Sequence, residues 1–316
     1  MTVVIPTHSE KRWNSLVRTV TSVAEQSLRP VETIVVVDHN PAMFRRVQDE
    51  LPHVTVLENR YDRGASGNRN TGAEHARTEF VAFLDDDTAA CANFMERMMA
   101  PFTDPRVVGA GSGIDGEWEI TRPRWMPDEF LWTVGISYAG MPTDTAPIRN
   151  VWSASMVVRR EAFAAVGGFR NGFGKLGDQN RPEDTDLCLR MSAVDGGIWM
   201  YVPGAVIRHE VPADRSTFKF FLNRCYHEGR GKVQMADLGD GDLGTEKDYL
   251  RKTLPRAVGK GLVQTGKGKG VAHAMRSGAM VAAVFAAGFG VVAESLTGMR
   301  SRPAAVASAT PADTTS

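Results

Sequence analysis

The stretch FVAFLDDD, residues 80–87, joins a short apolar run to three consecutive carboxylates. The apolar part has the length and composition of a strand that is buried on both faces of a sheet. Three adjacent carboxylates at its end repel one another, which costs folding free energy unless a cation or hydrogen bonds neutralise them. A divalent ion held by oxygen atoms and by a substrate's phosphates would do so. A solvated turn or a helix cap is the alternative interpretation.

The residues before this stretch alternate between strand and helix periods. Short apolar runs predict strands at 3–5, 34–37, 54–57 and 80–84. Apolar residues at helical spacing predict helices at 13–26, 41–51 and 67–76. This alternation is typical of an α/β fold whose mainly parallel sheet is covered by helices on both faces.

Polar residues follow three of the predicted strands, beginning at Thr7, Asp38 and Asp85. Because ligands of such sheets bind beyond the carboxyl ends of the strands, we expect these residues to share one rim. A glycine-rich stretch at 62–72, DRGASGNRNTG, has neither the dinucleotide-binding nor the P-loop spacing. Its glycines permit a tight turn, and Arg69 offers a planar cation near the rim.

A second acidic cluster, in RPEDTDLCLR, places Glu183, Asp184 and Asp186 at the start of a predicted helix at 183–192. The helix dipole favours acids there, so capping is one interpretation. A carboxylate held at a helix start after a glycine-containing loop could instead act as a general base. His209 follows two predicted strands at 199–202 and 205–207, and it is either a structural histidine or a ligand for Mn or a similar ion.

The periodic pattern is lost between 109 and 150, where glycine, proline and aromatic residues are interleaved with charges. A connection of this length is usually functional. Regular structure is predicted to resume with a strand at 151–158 and a helix at 160–166, and an amphipathic helix is predicted at 216–228.

The C-terminal hundred residues differ in composition from the rest. Residues 251–278 carry seven Lys or Arg and no acid, and residues 277–293 are 17 uncharged residues, mostly Ala, Val and Gly. Since a spanning helix needs about 20 apolar residues, we expect a helix that lies on a membrane or dips into it beside a basic segment. A buried helix packed on the rest of the chain is the alternative. Residues 301–316 are expected to be disordered.

The overall composition argues against several classes of protein. The 316 residues include 37 basic and 37 acidic side chains, and this zero net charge gives no indication of nucleic-acid binding. The three cysteines are odd in number and lack metal-site spacing, which favours a reducing compartment over a disulfide scaffold. Residues 2–6 have the pattern of a strand, so no signal peptide is expected.

Together these motifs resemble a known family. The segments VVIPTHSE, VVVDHN, RGASGNRNTG, FLDDD, RREAFAAVGGF, PEDTDLCLR and VPGAVIRHE occur in this order between residues 2 and 210. They resemble family 2 glycosyltransferases of the GT-A fold. The segments WMPDEFLWTVG, APIRN and FLNRCYHEGRGK are similar to a subgroup named glucosyl-dolichyl-phosphate glucuronosyltransferases. The departures are small: His8 and Ser9 stand where Tyr-Asn is common, and Asn68 stands where Ala is frequent.

The resemblance implies a Rossmann-like, mainly parallel mixed sheet with helices on both faces, followed by C-terminal helices. Residues 1–108 would form the nucleotide-sugar-binding half, 109–215 the acceptor-binding half of the same domain, 216–300 a helical, membrane-associated region and 301–316 a tail. Asp184 would be the catalytic base, and Asp87 and His209 would bind Mn or Mg. The residues implied in donor binding are Pro6, Thr7, Glu10, Asp38 (at the uracil ring), Arg69, Asp85 (near the ribose) and Asp86. The acceptor-side candidates are Trp152, Glu183 and Asp186.

The predicted function is transfer of a sugar, with inversion, from a nucleotide diphosphate sugar to a hydroxyl of a glycan or polyprenyl-linked acceptor. A UDP-sugar is the expected donor, and the expected location is cytoplasmic, peripheral at the inner face of the cell membrane. One rival is a nucleotidyltransferase, which should carry a Gly-rich, basic signature after the first strand, and residues 6–9 have none. The other is a non-catalytic carbohydrate-binding protein, but the acids, Asp184 and His209 are all present.

Overall fold

The computed structural model describes residues 1–176, 179–237, 254–266 and 270–301. The strands in these ranges are β1 (Thr2–Thr7), β2 (Glu32–Val37), β3 (Thr55–Glu58), β4 (Phe80–Leu84), β5 (Thr88–Ala90), β6 (Val107–Trp118), β7 (Ala146–Ile148), β8 (Ser155–Arg159), β9 (Gly174–Leu176), β10 (Gln179–Arg181) and β11 (Ile198–Val211). The α-helices there are α1 (Trp13–Ala24), α2 (Pro41–Glu50), α3 (Ala65–His75), α4 (Phe94–Met99), α5 (Arg160–Ala165), α6 (Glu183–Ala193), α7 (Phe218–Asp237), α8 (Leu254–Gly266) and α9 (Val271–Ser301).

Within the described ranges, nine strands form one mixed sheet in the order β3-β2-β1-β4-β8-β6-β11-β5, with β7 also paired to β11. The strands β1 to β4 run parallel to one another, as predicted. β8 runs antiparallel between β4 and β6, so it joins the N-terminal parallel strands to the parallel pair β6 and β11. β9 and β10 pair antiparallel in a separate two-stranded sheet.

Helices cover both faces of the sheet. Successive residues of each central strand point to opposite sides, so each strand contributes to two apolar clusters. Val3 and Ile5 of β1 pack in one cluster with residues of α1, α2 and α4. Val4, between them, packs in the other with residues of α3, α5 and α6. The predicted α/β architecture is confirmed.

The expectation that 109–150 lacks regular structure is wrong at its beginning, which belongs to β6. This strand lies between β8 and β11, and its glycines replace the alternating apolar side chains by which strands are recognised. A Cβ on Gly109 would lie 2.2 Å from the ring of Trp199, so the close packing of the indole requires glycine there. The contact with Trp199 that requires glycine at position 109 thus also removes an apolar side chain from the sequence pattern of β6.

The two short strands predicted at 199–202 and 205–207 are parts of one long strand, β11. The register against β6 shifts between Val202 and Val206, and this irregularity interrupts the alternation in the sequence. His209 consequently lies inside β11, opposite Thr88 of β5, rather than beyond a strand end.

The C-terminal helices pack on the preceding part of the chain through a third apolar cluster. Phe221 and Cys225 of α7, Leu254 of α8 and Met280 of α9 are buried there with Phe130. α7 begins at Phe218, two residues after the start of the predicted helix at 216–228, and continues further, to Asp237. The predicted disordered tail, apart from its first residue, and four of the seven basic residues (Arg251, Lys252, Lys267 and Lys269) lie outside the described residues.

Candidate active site

The carboxyl ends of β1, β2 and β4 meet at one edge of the sheet, as the parallel order requires. The backbone N–H of Asp38 donates to the carbonyl of Thr7 at 2.8 Å. Thr7 Oγ donates in turn to Asp86 Oδ2 at 2.7 Å. Residues from three strand ends, separated by up to 79 positions in the sequence, therefore form one hydrogen-bonded rim.

Asp86 is the most buried of the three consecutive acids, with 2 % of its surface exposed. Besides Thr7, its carboxylate contacts Nη1 of Arg12, which lies 2.5 Å from Oδ1. Burial raises the pKa of Asp86 above its ordinary value. Because both carboxylate oxygens are engaged by the protein, this geometry favours a role in holding the rim together, and contact of Asp86 with a donor stays a prediction.

Arg69 connects the two acidic clusters. Its Nη2 lies 2.6 Å from Asp85 Oδ1, and its Nη1 lies 3.5 Å from Glu183 Oε1. Glu183 also accepts a hydrogen bond from Ser153 at 3.3 Å. Burial acts to raise the pKa of Asp85, but the Arg69 guanidinium outweighs it and holds that pKa below its ordinary value. Asp85 is therefore ionised, and the helix that carries Asp184 is tied to the strand-end acids.

Asp87 and His209 form the best candidate for a metal site. Asp87 Oδ1 lies 3.6 Å from His209 Nε2, and this buried oxygen has no hydrogen-bond partner in the described structure. Burial lowers the pKa of His209, so its imidazole is neutral and can offer a lone pair. Two atoms each about 2.1 Å from one ion can be up to about 4.2 Å apart. The pair fits a divalent ion whose remaining ligands come from substrate or water, since no group of three potential ligands occurs in the described ranges.

Asp184 stands in the first turn of α6, half-buried, next to Glu183. Burial and the neighbouring Glu183 charge raise the pKa of Asp184 to about 7. Its Oδ1 accepts a hydrogen bond from the backbone N–H of Thr185 at 2.7 Å. A carboxylate with a pKa near the operating pH has the protonation behaviour of a general base.

Asp186, predicted on the acceptor side, is instead enclosed within the fold. Its side chain is fully buried, and its two oxygens pair with Arg170 at 2.7 Å and Arg190 at 2.6 Å. Arg190 also donates to the carbonyls of Val166 and Gly168. Asp186 thus anchors the loop after α5 to α6, and its complete burial between two arginines argues against the predicted contact with an acceptor.

The other predicted residues take different positions on the rim. Asp38 accepts hydrogen bonds from Asn59 Nδ2 at 2.8 Å and from the backbone N–H of Gly64 at 3.0 Å, which fixes the loop before α3. Pro6 is buried within β1, and Glu10 is exposed in the 3₁₀ turn that follows. Trp152 is half-buried, precedes Ser153, and packs edge-on against Tyr138 with the ring centres 6.1 Å apart.

A model of glycosyl transferase family 2 matches residues 2–167. The chain belongs to this family. That range includes the rim acids and Arg69, whereas Asp184 and His209 lie beyond it. The chain is therefore a glycosyltransferase, and the predicted family is confirmed.

Two relatives are similar to this glycosyltransferase in sequence, and one solved structure is similar to it in fold. It is 30% identical over 240 residues to glucosyl-dolichyl phosphate glucuronosyltransferase of Haloferax volcanii, covering 74% of this chain and 77% of the relative. It is 30% identical over 217 residues to pre-mycofactocin glycosyltransferase of Mycobacterium tuberculosis, covering 66% of this chain but 42% of the relative. The fold is shared with a mannosyltransferase of Pyrobaculum calidifontis solved with GDP-Man and Mn²⁺, at a TM-score of 0.56, 18% identity and coverage of 90% and 85%.

Several residues near the site of this glycosyltransferase gave no signal in the sequence. Arg12 contacts Asp86 and Asp87 across more than seventy positions of the chain. Glu228 of α7 lies close enough to Asp184 to help raise its pKa. Such partners come from distant segments, and only the folded chain brings them together. Arg190 is different, because its spacing of four residues from Asp186 on one helix is a readable pairing signal.

Proposed function

We propose that this glycosyltransferase moves a sugar, with inversion, from a nucleotide diphosphate sugar to a hydroxyl of a glycan or polyprenyl-linked acceptor. The observation that carries the proposal is the link from Asp85 through Arg69 to Glu183. It ties the rim acids, which are suited to a cation that a diphosphate can share, to the helix whose second residue, Asp184, has a raised pKa. Donor and acceptor chemistry can thus take place in one cleft.

Asp184 would accept the proton of the acceptor hydroxyl as that oxygen attacks the anomeric carbon. The new glycosidic bond forms while the bond from the sugar to the diphosphate breaks, and the diphosphate leaves with the electron pair. A single displacement of this kind inverts the anomeric carbon. It needs a base and no enzyme nucleophile, and a positioned base contributes a factor of about 10² to 10⁴ in rate.

Asp87 and His209 would hold the divalent ion, Mn or Mg. When bound, the ion would supply positive charge that stabilises the departing diphosphate. The uncharged imidazole of His209 and the unpartnered oxygen of Asp87 support this assignment. The similar mannosyltransferase solved with Mn²⁺ is compatible with it.

Asp38, Thr7, Glu10 and Pro6 would line the nucleotide pocket, with a UDP-sugar as the proposed donor. The name of the Haloferax volcanii relative refers to a dolichyl phosphate carrier, which supports a polyprenyl-linked acceptor here. Trp152 with Tyr138 offers an aromatic surface beside Glu183 for the acceptor.

A panel of nucleotide sugars tests the class of reaction. The purified chain is incubated with each donor and a polyprenyl-phosphate-linked sugar, with Mn²⁺ and with excess chelator, and products are followed by mass spectrometry. We expect transfer from one UDP-sugar, abolished by the chelator. A guanosine or thymidine donor would overturn only the choice of base. Full transfer in chelator would overturn the metal assignment.

The proposed contact with a membrane rests on α9. Within the described ranges, the segment Val271–Thr297 is the one helix long and apolar enough to cross a bilayer. Large apolar side chains are exposed along it, including Phe285 (66 %) and Phe289 (69 %). Apolar exposure of this extent on a soluble surface marks an interaction site.

α9 is also held firmly by α7, which favours a helix lying at the surface over one crossing the bilayer. A Cβ on Gly229 or on Gly290 would lie 2.0 Å from a carbonyl oxygen of the opposite helix, so the two backbones are in close contact. Arg230 pairs with Glu294 at 2.6 Å, and Gln234 donates to the same carboxylate at 2.7 Å. The predicted alternative of a buried helix therefore describes one face of α9, and the predicted membrane contact is proposed for the other.

Flotation with anionic liposomes tests the membrane proposal. We expect the full chain to float and to be partly released by salt, because Arg256 and Lys260 lie on the adjacent α8. The double variant Phe285→Ser/Phe289→Ser should stay in solution while binding donor normally. The control variant Val31→Ser/Ile120→Ser, which removes exposed apolar side chains elsewhere, should float. Equal flotation of both variants would contradict the assignment of membrane binding to α9.

The three cysteines form no disulfide, which fits the proposed location on the cytoplasmic side of the membrane.

A further inference from the structure

Arg12 lies beside the candidate metal site. It ends the 3₁₀ turn Glu10–Arg12 after β1, which brings its side chain to the rim. Its Nη1 lies 2.5 Å from Asp86 Oδ1 and 3.1 Å from Asp87 Oδ2. The two carboxylates are almost fully buried, whereas 32 % of the Arg12 side chain is exposed. One cation thus bridges two adjacent acids from the solvent side.

This contact makes the two oxygens of Asp87 different. Oδ2 faces the guanidinium, while Oδ1 has no hydrogen-bond partner in the described structure and faces His209 Nε2 at 3.6 Å. The terminal torsion of an aspartate is broad and roughly two-fold, so packing or a partner must decide which way the carboxylate faces. Arg12 is a partner that selects the orientation with Oδ1 toward His209.

We propose that Arg12 is a positioning residue, which holds Asp87 Oδ2 so that Oδ1 stays available to a divalent ion shared with His209. The inference rests on the metal site of the proposed function. Partners that orient ligating groups typically contribute about 10- to 100-fold to metal affinity.

The positive charge of Arg12 also repels a second cation, so its net effect on metal binding is the balance between orientation of Asp87 and this repulsion. Asp86 pairs with the same nitrogen at the shorter distance, and its negative charge offsets that of the guanidinium. The Arg12–Asp86 pair is then nearly neutral toward the metal site. Orientation of Asp87 should therefore outweigh repulsion, and removal of Arg12 should weaken metal binding.

Titration with Mn²⁺, followed by the EPR signal of the free ion, measures this effect without turnover. We expect Arg12→Gln to raise the Mn²⁺ dissociation constant by about 10-fold or more. Arg106→Gln is the matched control, since Arg106 pairs with Asp104 at 2.7 Å on an exposed surface, and its Mn²⁺ affinity should equal that of the wild type. Circular dichroism establishes that each variant is folded.

Arg12→Gln leaves the buried Asp86 without its cation, which destabilises the folded protein. A second variant therefore controls for this loss of stability. Arg12→Gln/Asp86→Asn removes that charge as well, and it should show the same loss of Mn²⁺ affinity. Unchanged or tighter Mn²⁺ binding by the folded double variant would overturn the inference and make Arg12 a neutral neighbour or a competitor of the ion. Asp87→Ala and His209→Ala distinguish failure of the role of Arg12 from failure of the metal site. If neither weakens Mn²⁺ binding, the proposed metal site itself is wrong.

Discussion

The two acidic clusters of this glycosyltransferase, one after β4 and one at the start of α6, follow the same plan. In each, one acid is buried against arginine and stabilises the fold: Asp86 pairs with Arg12, and Asp186 pairs with Arg170 and Arg190. In each, a second acid contacts the shared Arg69, namely Asp85 in the first cluster and Glu183 in the second. The third acid, Asp87 in the first cluster and Asp184 in the second, is the one to which the proposed function gives a chemical role.

The clusters differ in the groups that surround the third acid. Asp87 lies near Arg12 and beside an imidazole, an arrangement suited to a carboxylate that binds a metal. At Asp184 burial and the Glu183 charge raise the pKa to about 7, an arrangement suited to accepting a proton. The same residue type at two ends of one cleft can thus be set to two tasks by its surroundings.

The largest expected effect is on turnover. Asp184→Asn should lower the rate of transfer by about 10²- to 10⁴-fold, because the amide cannot accept the proton. Donor binding should be unchanged, since the rim acids and Arg69 are intact. Single-turnover transfer and calorimetric titration with donor measure the two quantities separately. Near-normal turnover would reduce Asp184 to a helix cap and move the search for the base to Glu183.

Asp186→Asn should affect stability where Asp184→Asn affects chemistry. Removing one partner of a buried ion pair costs about 3–5 kcal/mol, and here it leaves the contacts of Arg170 and Arg190 with Asp186 unmatched. Urea denaturation should show that loss in the free energy of unfolding. Asp184→Asn serves as the comparison and should unfold at a urea concentration no lower than the wild type. Equal stability of the two variants would break the division of roles within the second cluster.

Asp87→Ala and His209→Ala should each reduce the affinity for donor in Mn²⁺ by at least the factor of about 10 to 100 that loss of an outer-shell partner of a metal ligand costs. In excess chelator, wild type and variants should bind donor equally weakly. Asp86→Asn should lose less of its affinity for donor, because Arg12 still contacts Asp87. A donor affinity that is the same with Mn²⁺ and with chelator would contradict a metal role for the first cluster.

The parts of the fold that the sequence predicts are those whose side chains repeat with a regular period. β1 and β4 are continuous apolar runs, and each ends at the polar residues that form the rim. The sequence pattern does not predict β6, because glycines stand in place of its apolar side chains. It divides β11 into two strands, because the register of β11 shifts at 202–206. A regular period in the sequence indicates buried side chains. It does not reveal a strand that packs through glycine backbone or one that contains a bulge.

For the candidate site, the sequence identifies which residues carry charge but not which of them face one another. Asp184 and Asp186 are two positions apart on one helix, and such residues do not face the same way. One is half-buried at the cleft and the other is enclosed by arginines. The contact of Arg12 with the rim depends on the pairing of distant segments, which a single sequence does not reveal.

The dependence of transfer rate on pH tests most directly whether Asp184 is the base. Its raised pKa keeps the carboxyl protonated below about pH 7, so the rate should rise with pH through about 7 and then level off. Glu183→Gln removes the adjacent negative charge and should move this rise to lower pH, although Glu228 and Arg69 still act on Asp184. The rise should be measured at saturating donor and Mn²⁺, with Arg106→Gln as an unshifted control. A profile that has no such rise, or one that Glu183→Gln leaves in place, would contradict the assignment of Asp184 as the base.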